Sequence, residues 1–286
     1  MEPIAASVII PAHNEERGIG SCLSALAAAK DGVSLEVVVA ANGCSDGTVA
    51  EARKFPGVQV LDIAEASKVG ALNAADRVAS AFPRIYLDAD VQLDGTALHS
   101  LIDILSTDEP RLAAPNVTYD TVGCDPVVRA FYGAFRSLPS VTNGLSGRGV
   151  YGLSEAGQQR FQEFPNVQGD DHFVNRLFAP SESVLAEGHS LVRPPRTWRD
   201  LVKVRTRIAS GNRELARADE AQVGELAGDP RFASSARSTL TAAGRLAVTQ
   251  PSRAPQVFVF LAVTVAARFR ARRSGSGVWH RDSSTR

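Results

Sequence analysis

Residues 84–90 read Arg84-Ile85-Tyr86-Leu87-Asp88-Ala89-Asp90, an apolar run that stops in two carboxylates one residue apart. A short run of this composition, bounded by polar residues, predicts a buried strand of a parallel sheet. In open α/β sheets ligands bind beyond the carboxyl ends of the strands, which is where Asp88 and Asp90 fall. Paired carboxylates suit a hard divalent cation such as Mg²⁺ or Mn²⁺, which binds through one or two acids and keeps positions open for substrate phosphates. Taken alone, an Asp-x-Asp is commonly a solvated loop or a helix cap, so its weight rests on the elements around it.

Those elements alternate between strand and helix patterns, the rhythm of βαβ units and a mostly parallel central sheet flanked by helices. Ser7 to Ile10 predicts a first strand stopped by Pro11. Asn14 then reads as the cap of a helix with Ile19, Leu23 and Leu26 on one face. Leu35 to Ala40 is the second strand, Ser45-Asp46-Gly47 a turn into a helix, and Val58 to Leu61 the third strand. Lys68 to Phe82 is the crossover helix leading to the strand that ends at Leu87, and Leu98, Leu101, Ile102 and Leu105 mark the next helix. Three polar loops thus stand at strand ends: His13 to Glu16, Asn42 to Thr48, and Asp88 to Asp90. Asn14 and Asp46 read as N-caps, and capping is compatible with ligand binding, because a helix N-terminus presents free N–H groups.

Composition narrows the class. With 44% apolar and 22% charged residues over 286, the chain is that of an ordinary folded protein, sized for one large α/β domain with an appendage. The zero formal charge conceals a polarity: from Ser190 onward there are 18 Lys or Arg against 7 Asp or Glu, and before it 13 against 24. An acidic body of residues 1–190 and a basic, mainly helical extension of residues 191–286 are expected. The basic part lacks interleaved aromatics, so no nucleic-acid partner is expected. Cys22, Cys44 and Cys124 have neither disulfide nor zinc spacing, and MEPIAASVIIPAHNEE reads as a first strand rather than a leader. A cytoplasmic protein is expected. Neither GxxxxGK[ST] nor GxGxxG follows the first strand, which disfavours P-loop and dinucleotide-binding readings. A metal on Asp88 and Asp90 would be another way to hold a pyrophosphate.

The succession SVIIPAHNEE, VVVAANGCSDGT, KVGALNAAD, YLDAD and GDDHFVNRLF, over roughly residues 6 to 180, resembles family 2 glycosyltransferases of the GT-A fold, particularly bacterial enzymes of surface-polysaccharide pathways. The ending VWHRDSSTR resembles an actinobacterial subset. The resemblance implies metal-dependent, inverting transfer of a sugar from a nucleotide-diphosphate sugar to a hydroxyl of a glycan or lipid-linked acceptor. It implies Asp90 as direct metal ligand and Asp88 on the ribose or a metal-bound water. It makes Asp171 the general base, with Asp170 standing where relatives carry Glu, so that either acid of the pair is open to the role; adjacent carboxylates raise the pKa of one. The neighbouring His172 reads as an exposed helix residue. Pro11, His13, Asn14 and Glu15 are implied beneath the base and ribose. Asn42, followed by Asp46, stands where relatives read the base with Asp, and an Asn that donates as well as accepts shifts that preference. Lys68 is implied on a donor phosphate, and Arg148, in the glycine-rich GLSGRGVYGLS of 144–154, as a reader of sugar or acceptor.

Processive synthases carry QxxRW; the matching Val204-Arg205-Thr206-Arg207-Ile208 keeps the Arg alone, so addition of single sugars is expected. No run reaches the roughly 18 to 20 apolar residues of a membrane span. Val257 to Ala267 is too short, but Arg268, Arg270, Arg272 and Arg273 follow it. That segment either lies on an anionic bilayer, on the inner face of the membrane, or packs on the body with a solvated basic face. Two other readings are a sugar nucleotidyltransferase, which needs a glycine-rich N-terminal loop that His13 to Glu16 does not offer, and a non-catalytic nucleotide-sugar or glycan-binding scaffold, which would have shed Asp88, Asp90 and Asp171.

Overall fold

The structure, a computed structural model, describes residues 3–138, 141, 145, 147–166, 169–222 and 236–273, without the side chains of 212–222 and 236–239. The terminal VWHRDSSTR, and Gly144 and Ser146 of the glycine-rich stretch, lie outside the described residues. Two compact units are formed, one of Met1–Thr118, Leu145–Asn166 and Asp170–Arg193, the other of Tyr119–Gly144, Val167–Gly169 and Pro194–Arg286.

In the first unit the strands are β1 (Ala6–Ala12), β2 (Leu35–Asn42), β3 (Val58–Ile63), β4 (Arg84–Leu87), β5 (Val91–Leu93), β6 (Leu112–Tyr119), β7 (Val150–Leu153) and β8 (Ser183–Val192). They make one eight-stranded sheet in the order β3-β2-β1-β4-β7-β6-β8-β5. The half that carries the polar loops, β3-β2-β1-β4, is parallel; β7 joins β4 antiparallel and continues the sheet. The α/β fold expected from the sequence is the fold found.

Alternation along each strand sends successive side chains to opposite faces. Val8, Ile10, Val37, Val39, Ile85 and Leu87 pack on one face with Ile19, Leu23 and Leu26 of helix α1 (Ile19–Ala29) and Leu98, Leu101 and Leu105 of α4 (Gly95–Leu105). Ile9, Val38, Ala40 and Tyr86 pack on the other with Ala71, Leu72 and Ala75 of α3 (Lys68–Val78). A short helix, α2 (Thr48–Ala52), precedes β3. The first unit is completed by α6 (Glu155–Gln158) and α7 (Asp170–Arg176), and the second holds α5 (Pro126–Phe135), α8 (Trp198–Gln222), α9 (Ala236–Thr249) and α10 (Ala254–Arg273).

Three local expectations are corrected. Pro11 does not stop β1, which runs on to Ala12; the last β4 pair is Ile9 with Tyr86, so on that side the missing N–H leaves no ladder bond unmade. Asn14 is not an N-cap: α1 begins at Ile19 behind Gly18, and Asn14 is left-handed, with φ 55°. Pro251–Arg273 is a helical segment of 23 residues, long and apolar enough by length and composition to cross a membrane. A count of apolar residues misses it because Gln256 and Arg268 bound the apolar run inside a longer segment whose average remains apolar.

The close approach of β8 to the start of α4 depends on Gly188, within the strand, whose φ is +76° and where a Cβ would lie 2.3 Å from the Ala97 nitrogen and 2.6 Å from Asp94 Oδ1. Asp94 caps α4 through the Ala97 N–H at 2.7 Å and also accepts the His189 N–H at 2.8 Å. Gly188→Ala should therefore cost at least about 2 kcal/mol in chemical denaturation. Gly123→Ala, at φ +75° with nothing near its Cβ, should cost only about 1 kcal/mol of backbone strain.

Candidate functional site

The loops after β1 and β2 are tied together residue by residue. His13 Nδ1 donates to the Asn42 carbonyl at 2.6 Å, which leaves Nε2 to accept from the Asn14 amide at 3.3 Å. Asn14 Oδ1 accepts the Ser45 N–H at 2.7 Å, the Glu15 N–H donates to Thr48 Oγ1 at 2.6 Å, and the Glu16 N–H donates to Asp46 Oδ2 at 3.2 Å. Asp46 also receives the Thr48 N–H at 3.1 Å, but it is not the N-cap expected of it: Gly47 holds that position without a side-chain bond, and Asp46 stands one residue earlier, where its carboxylate closes the turn before α2. The left-handed backbone at Asn14 turns its amide toward the second loop; Asn tolerates that conformation better than branched residues do.

Asn42 lies fully buried at the end of β2. Its amide nitrogen donates to the carbonyls of Ala12, at 2.9 Å, and Ala40, at 3.3 Å, while Oδ1 has no hydrogen-bond partner among the described residues. An Asp here would set a carboxylate against two carbonyl oxygens. Packing thus explains why this chain carries Asn.

At the end of β4 the Asp88 N–H donates to the Gly149 carbonyl at 2.8 Å and the Asp88 carbonyl accepts from Val91 at 3.1 Å, a tight turn from β4 into β5. Gly149 is at φ +71°, and a Cβ on it would meet Val91 at 2.5 Å, so glycine is what lets the strand approach. Glu15 reaches the same place: a Cβ on Gly18 would lie 3.1 Å from Glu15 Oε2, 3.5 Å from the Ala89 carbonyl and 3.6 Å from the Asp90 Cα. Beside them the buried Cys22 thiol is held far above its ordinary pKa, first by burial and then by the charges of Asp90, Asp88 and Glu15. Three carboxylates acting on one sulfur make a strongly negative locality, which favours a cation.

One cation is already there. Lys68 Nζ lies 2.9 Å from Asp88 Oδ1 and 2.9 Å from Asp170 Oδ1. Burial works against its charge, but the Asp170 and Asp88 carboxylates outweigh that and keep its pKa above the ordinary lysine range. Ser67 starts this helix by accepting the Gly70 N–H at 3.0 Å, which sets Lys68 in its first turn. Asp170 is buried and also accepts from Tyr151 Oη at 3.1 Å. Its neighbour Asp171 is half-buried and accepts the Gly147 N–H at 2.6 Å. Beneath them Tyr151 stacks on Tyr86 with ring centroids 5.0 Å apart, and Tyr86 donates to Asp76, which pairs with Arg84 at 2.7 Å.

The first unit therefore brings together Asp88, Lys68, Asp170 and Asp171 on one side, and Glu15, Asp88 and Asp90 on another. His13, Asn14, Asn42 and Asp46 form the tied platform, and Pro11 stays in the ladder opposite Ala40. Arg148 is set apart: its guanidinium is buried and donates to the Pro115 carbonyl at 2.9 Å, bracing β6. In the second unit Arg205, the remnant of QxxRW, lies over the Phe131 and Phe135 rings at 5.4 and 5.0 Å. Tyr151 and Thr48 were not foreseen. Tyr151 stands inside the stretch read only for its glycines, and a hydroxyl-bearing ring among small residues was the available signal.

Among the described residues no three His, Cys, Asp or Glu side chains are disposed to hold a metal ion by themselves. The protein's donor set is at most the Asp88 and Asp90 carboxylates, with one Asp88 oxygen engaged by Lys68. Such a set fits a hard cation that keeps water and phosphate oxygens as its other ligands.

Residues 7–145 match the sequence model of the family described as Glycosyl transferase family 2. That stretch belongs to glycosyl transferase family 2. The chain thus carries a glycosyltransferase domain, which decides against the sugar nucleotidyltransferase alternative. Among solved structures it is similar to S. aureus TarS in complex with UDP-GlcNAc, at 14% identity over 93% of this chain and 92% of that one, with a TM-score of 0.50. It is similar also to glucosyl-3-phosphoglycerate synthase from Mycobacterium tuberculosis in complex with Mn²⁺, UDP and glucosyl-3-phosphoglycerate, at 22% identity over 71% and 77% of the two chains, TM-score 0.50. The complex of that synthase with phosphoglyceric acid gives 22%, 71%, 77% and 0.51. At these identities the likeness is one of fold, the GT-A fold. No curated protein matches the sequence.

Asn42→Asp places a charge where the chain provides two carbonyl acceptors and no donor, so stability in urea should fall by at least about 3 kcal/mol. An unchanged midpoint would show that the two amide hydrogen bonds do not form.

Proposed function

We propose that the protein moves a single sugar from a nucleotide-diphosphate sugar to an acceptor hydroxyl, with inversion at the anomeric carbon. The observation that carries this reading is the Lys68 ammonium, which joins the acid ending β4 to the acid opening α7 at 2.9 Å on each side. It supports a site in which donor phosphates meet Asp88 and Asp90 while α7 supplies the base.

The chemistry asks for two things. The acceptor oxygen forms a bond to the anomeric carbon as the bond from that carbon to the diphosphate breaks, its electron pair leaving with the nucleotide. The acceptor proton must go to a base on the side of attack, as it does to the base carboxylate of inverting glycosidases. Asp171 suits that task better than Asp170: it is accessible and oriented by one backbone N–H, whereas Asp170 is buried between Lys68 and Tyr151 and acts by positioning. A divalent cation held by Asp90, with Asp88 beside it, would offset the charge that develops on the departing diphosphate. The Mn²⁺ with UDP in the mycobacterial synthase structure supports the cation, and the UDP-GlcNAc in the TarS structure supports a nucleotide-sugar donor.

On the donor side the tied loops of His13–Glu16 and Asn42–Thr48 form a rigid floor for base and ribose, with Glu15 and the unpartnered Asn42 Oδ1 as the polar readers. Lys68 is the candidate to exchange a carboxylate for a donor phosphate. Arg148, buried and bonded to the Pro115 carbonyl, braces β6 rather than reading the sugar. Residues 1–190 act as the catalytic domain and 191–286 as its helical extension. The motif resemblance supports a place in bacterial surface-polysaccharide or glycolipid synthesis with a glycan or lipid-linked acceptor, and the three free thiols support a cytoplasmic setting.

Thermal unfolding with a panel of UDP-, GDP- and dTDP-sugars tests the donor. A ligand at a hundred times its Kd adds about 2.7 kcal/mol, roughly 5 °C or more for a chain of this size. The shift should need Mn²⁺ or Mg²⁺ and vanish with chelator; Asp90→Ala should lose the metal-dependent part, and an equal shift in that variant sinks the assignment. Asp171→Asn should keep the donor shift while transfer falls roughly 10²- to 10⁴-fold. Lys68→Met should lose both stability and donor affinity, because it strands the Asp170 charge in the interior.

A further inference from the structure

The second unit contains a helix with two apolar sides. Val257, Phe260 and Val263 of α10 enter a core with Val128 and Phe131 of α5 and Leu201 of α8, and the Phe260 and Phe131 rings meet at 5.3 Å. The opposite side is also apolar: Phe258 is 74% exposed, Val265 62% and Phe269 51%. Positions 258, 265 and 269 recur at spacings of seven and four, so they form one stripe along the helix, with the exposed Ala262 between them. Exposing two phenylalanines and a valine along one line to water is unfavourable, by an amount that grows with the apolar area.

The charge pattern says what covers this stripe. From Ala254 to Arg273 the helix has no Asp or Glu, and its last turns carry Arg268, Arg270, Arg272 and Arg273. Arg273 lies over the Phe269 ring at 4.2 Å, which holds a cation at the edge of the apolar stripe. Apolar anchors beside unopposed arginines match a surface that is apolar below and anionic above. A spanning helix is excluded by the same packing, because crossing a bilayer would pull Val257, Phe260 and Val263 out of the core they complete.

We infer that α10 docks the protein on an anionic lipid bilayer, with Phe258, Val265 and Phe269 in the headgroup–acyl boundary and the arginines on the lipid phosphates. The helix lies in the interface plane. The inference stands apart from the transfer chemistry, since donor-induced stabilisation is measured without lipid.

Co-sedimentation of the full chain with vesicles tests it. Phosphatidylcholine vesicles containing phosphatidylglycerol should pellet the protein, pure phosphatidylcholine should pellet far less, and added salt should weaken the binding. Arg270→Gln/Arg272→Gln/Arg273→Gln should lower the partition coefficient roughly fivefold per arginine. Phe258→Ser/Val265→Ser/Phe269→Ser should lower it at least tenfold while thermal unfolding stays as in the wild type, the substituted side chains being exposed. No pelleting with anionic vesicles at low ionic strength overturns the inference, as does equal pelleting of the triple-Ser variant. Sedimentation velocity gives the remaining arm: a wild-type dimer that the triple-Ser variant converts to monomer, without vesicle binding, assigns the stripe to a second copy and overturns it as well.

Discussion

A single ammonium group between two carboxylates organises the acidic centre of the first unit. Asp88 comes from the end of a parallel strand, Lys68 from the first turn of the crossover helix that precedes it, and Asp170 from a helix more than eighty residues further on. Two acids left alone in a half-buried place would repel one another, and burial would penalise each. With Lys68 between them at 2.9 Å on either side, the three elements are drawn to one point. Burial of the lysine opposes this arrangement, but the paired attraction exceeds the cost. The Tyr151 hydroxyl satisfies a further Asp170 oxygen, so the buried acid is hydrogen-bonded as well as paired.

The platform beside this centre is built on a different principle. The polar residues after β1 and β2 spend their donors and acceptors on each other, four successive positions of one loop bonding to the other. A loop fixed before its ligand arrives loses little further entropy on binding. The remaining acids, Glu15 and Asp90, converge with Asp88 near the Cys22 thiol, where their charges add to burial in disfavouring the thiolate. Negative charge is thereby concentrated at one edge of the tied loops.

Much of this was legible in residue order. Short, near-continuous apolar runs in β1, β2 and β4 identified strands covered on both faces, and the apolar spacing of Ile19, Leu23 and Leu26 or of Leu98, Leu101 and Leu105 identified the helices. Three polar loops at strand ends marked the candidate site. Errors arose where short-range chemistry was read without its neighbours. Pro11 looked like a stop because its missing N–H was judged without knowing where β4 ends. Asn14 looked like a cap, although its side chain reaches a loop thirty residues away. The helix over α10 looked too short because Gln256 and Arg268 were counted as ends.

Local pattern determined which segments are strands, helices and polar loops, because hydrophobic period and turn chemistry act over a few residues. It also determined that Asp88 and Asp90 stand at a strand end. Only the tertiary structure decided which groups are consumed by the protein: that Lys68 is shared by two acids, that Arg148 is a buried brace, that the amide of Asn42 is spent on backbone carbonyls, and that one side of α10 is spoken for while the other faces outward. Those outcomes depend on long-range distance and burial, and a polar side chain bonds to whichever partner the folded backbone brings within about 3 Å, a quantity that no spacing along the chain encodes.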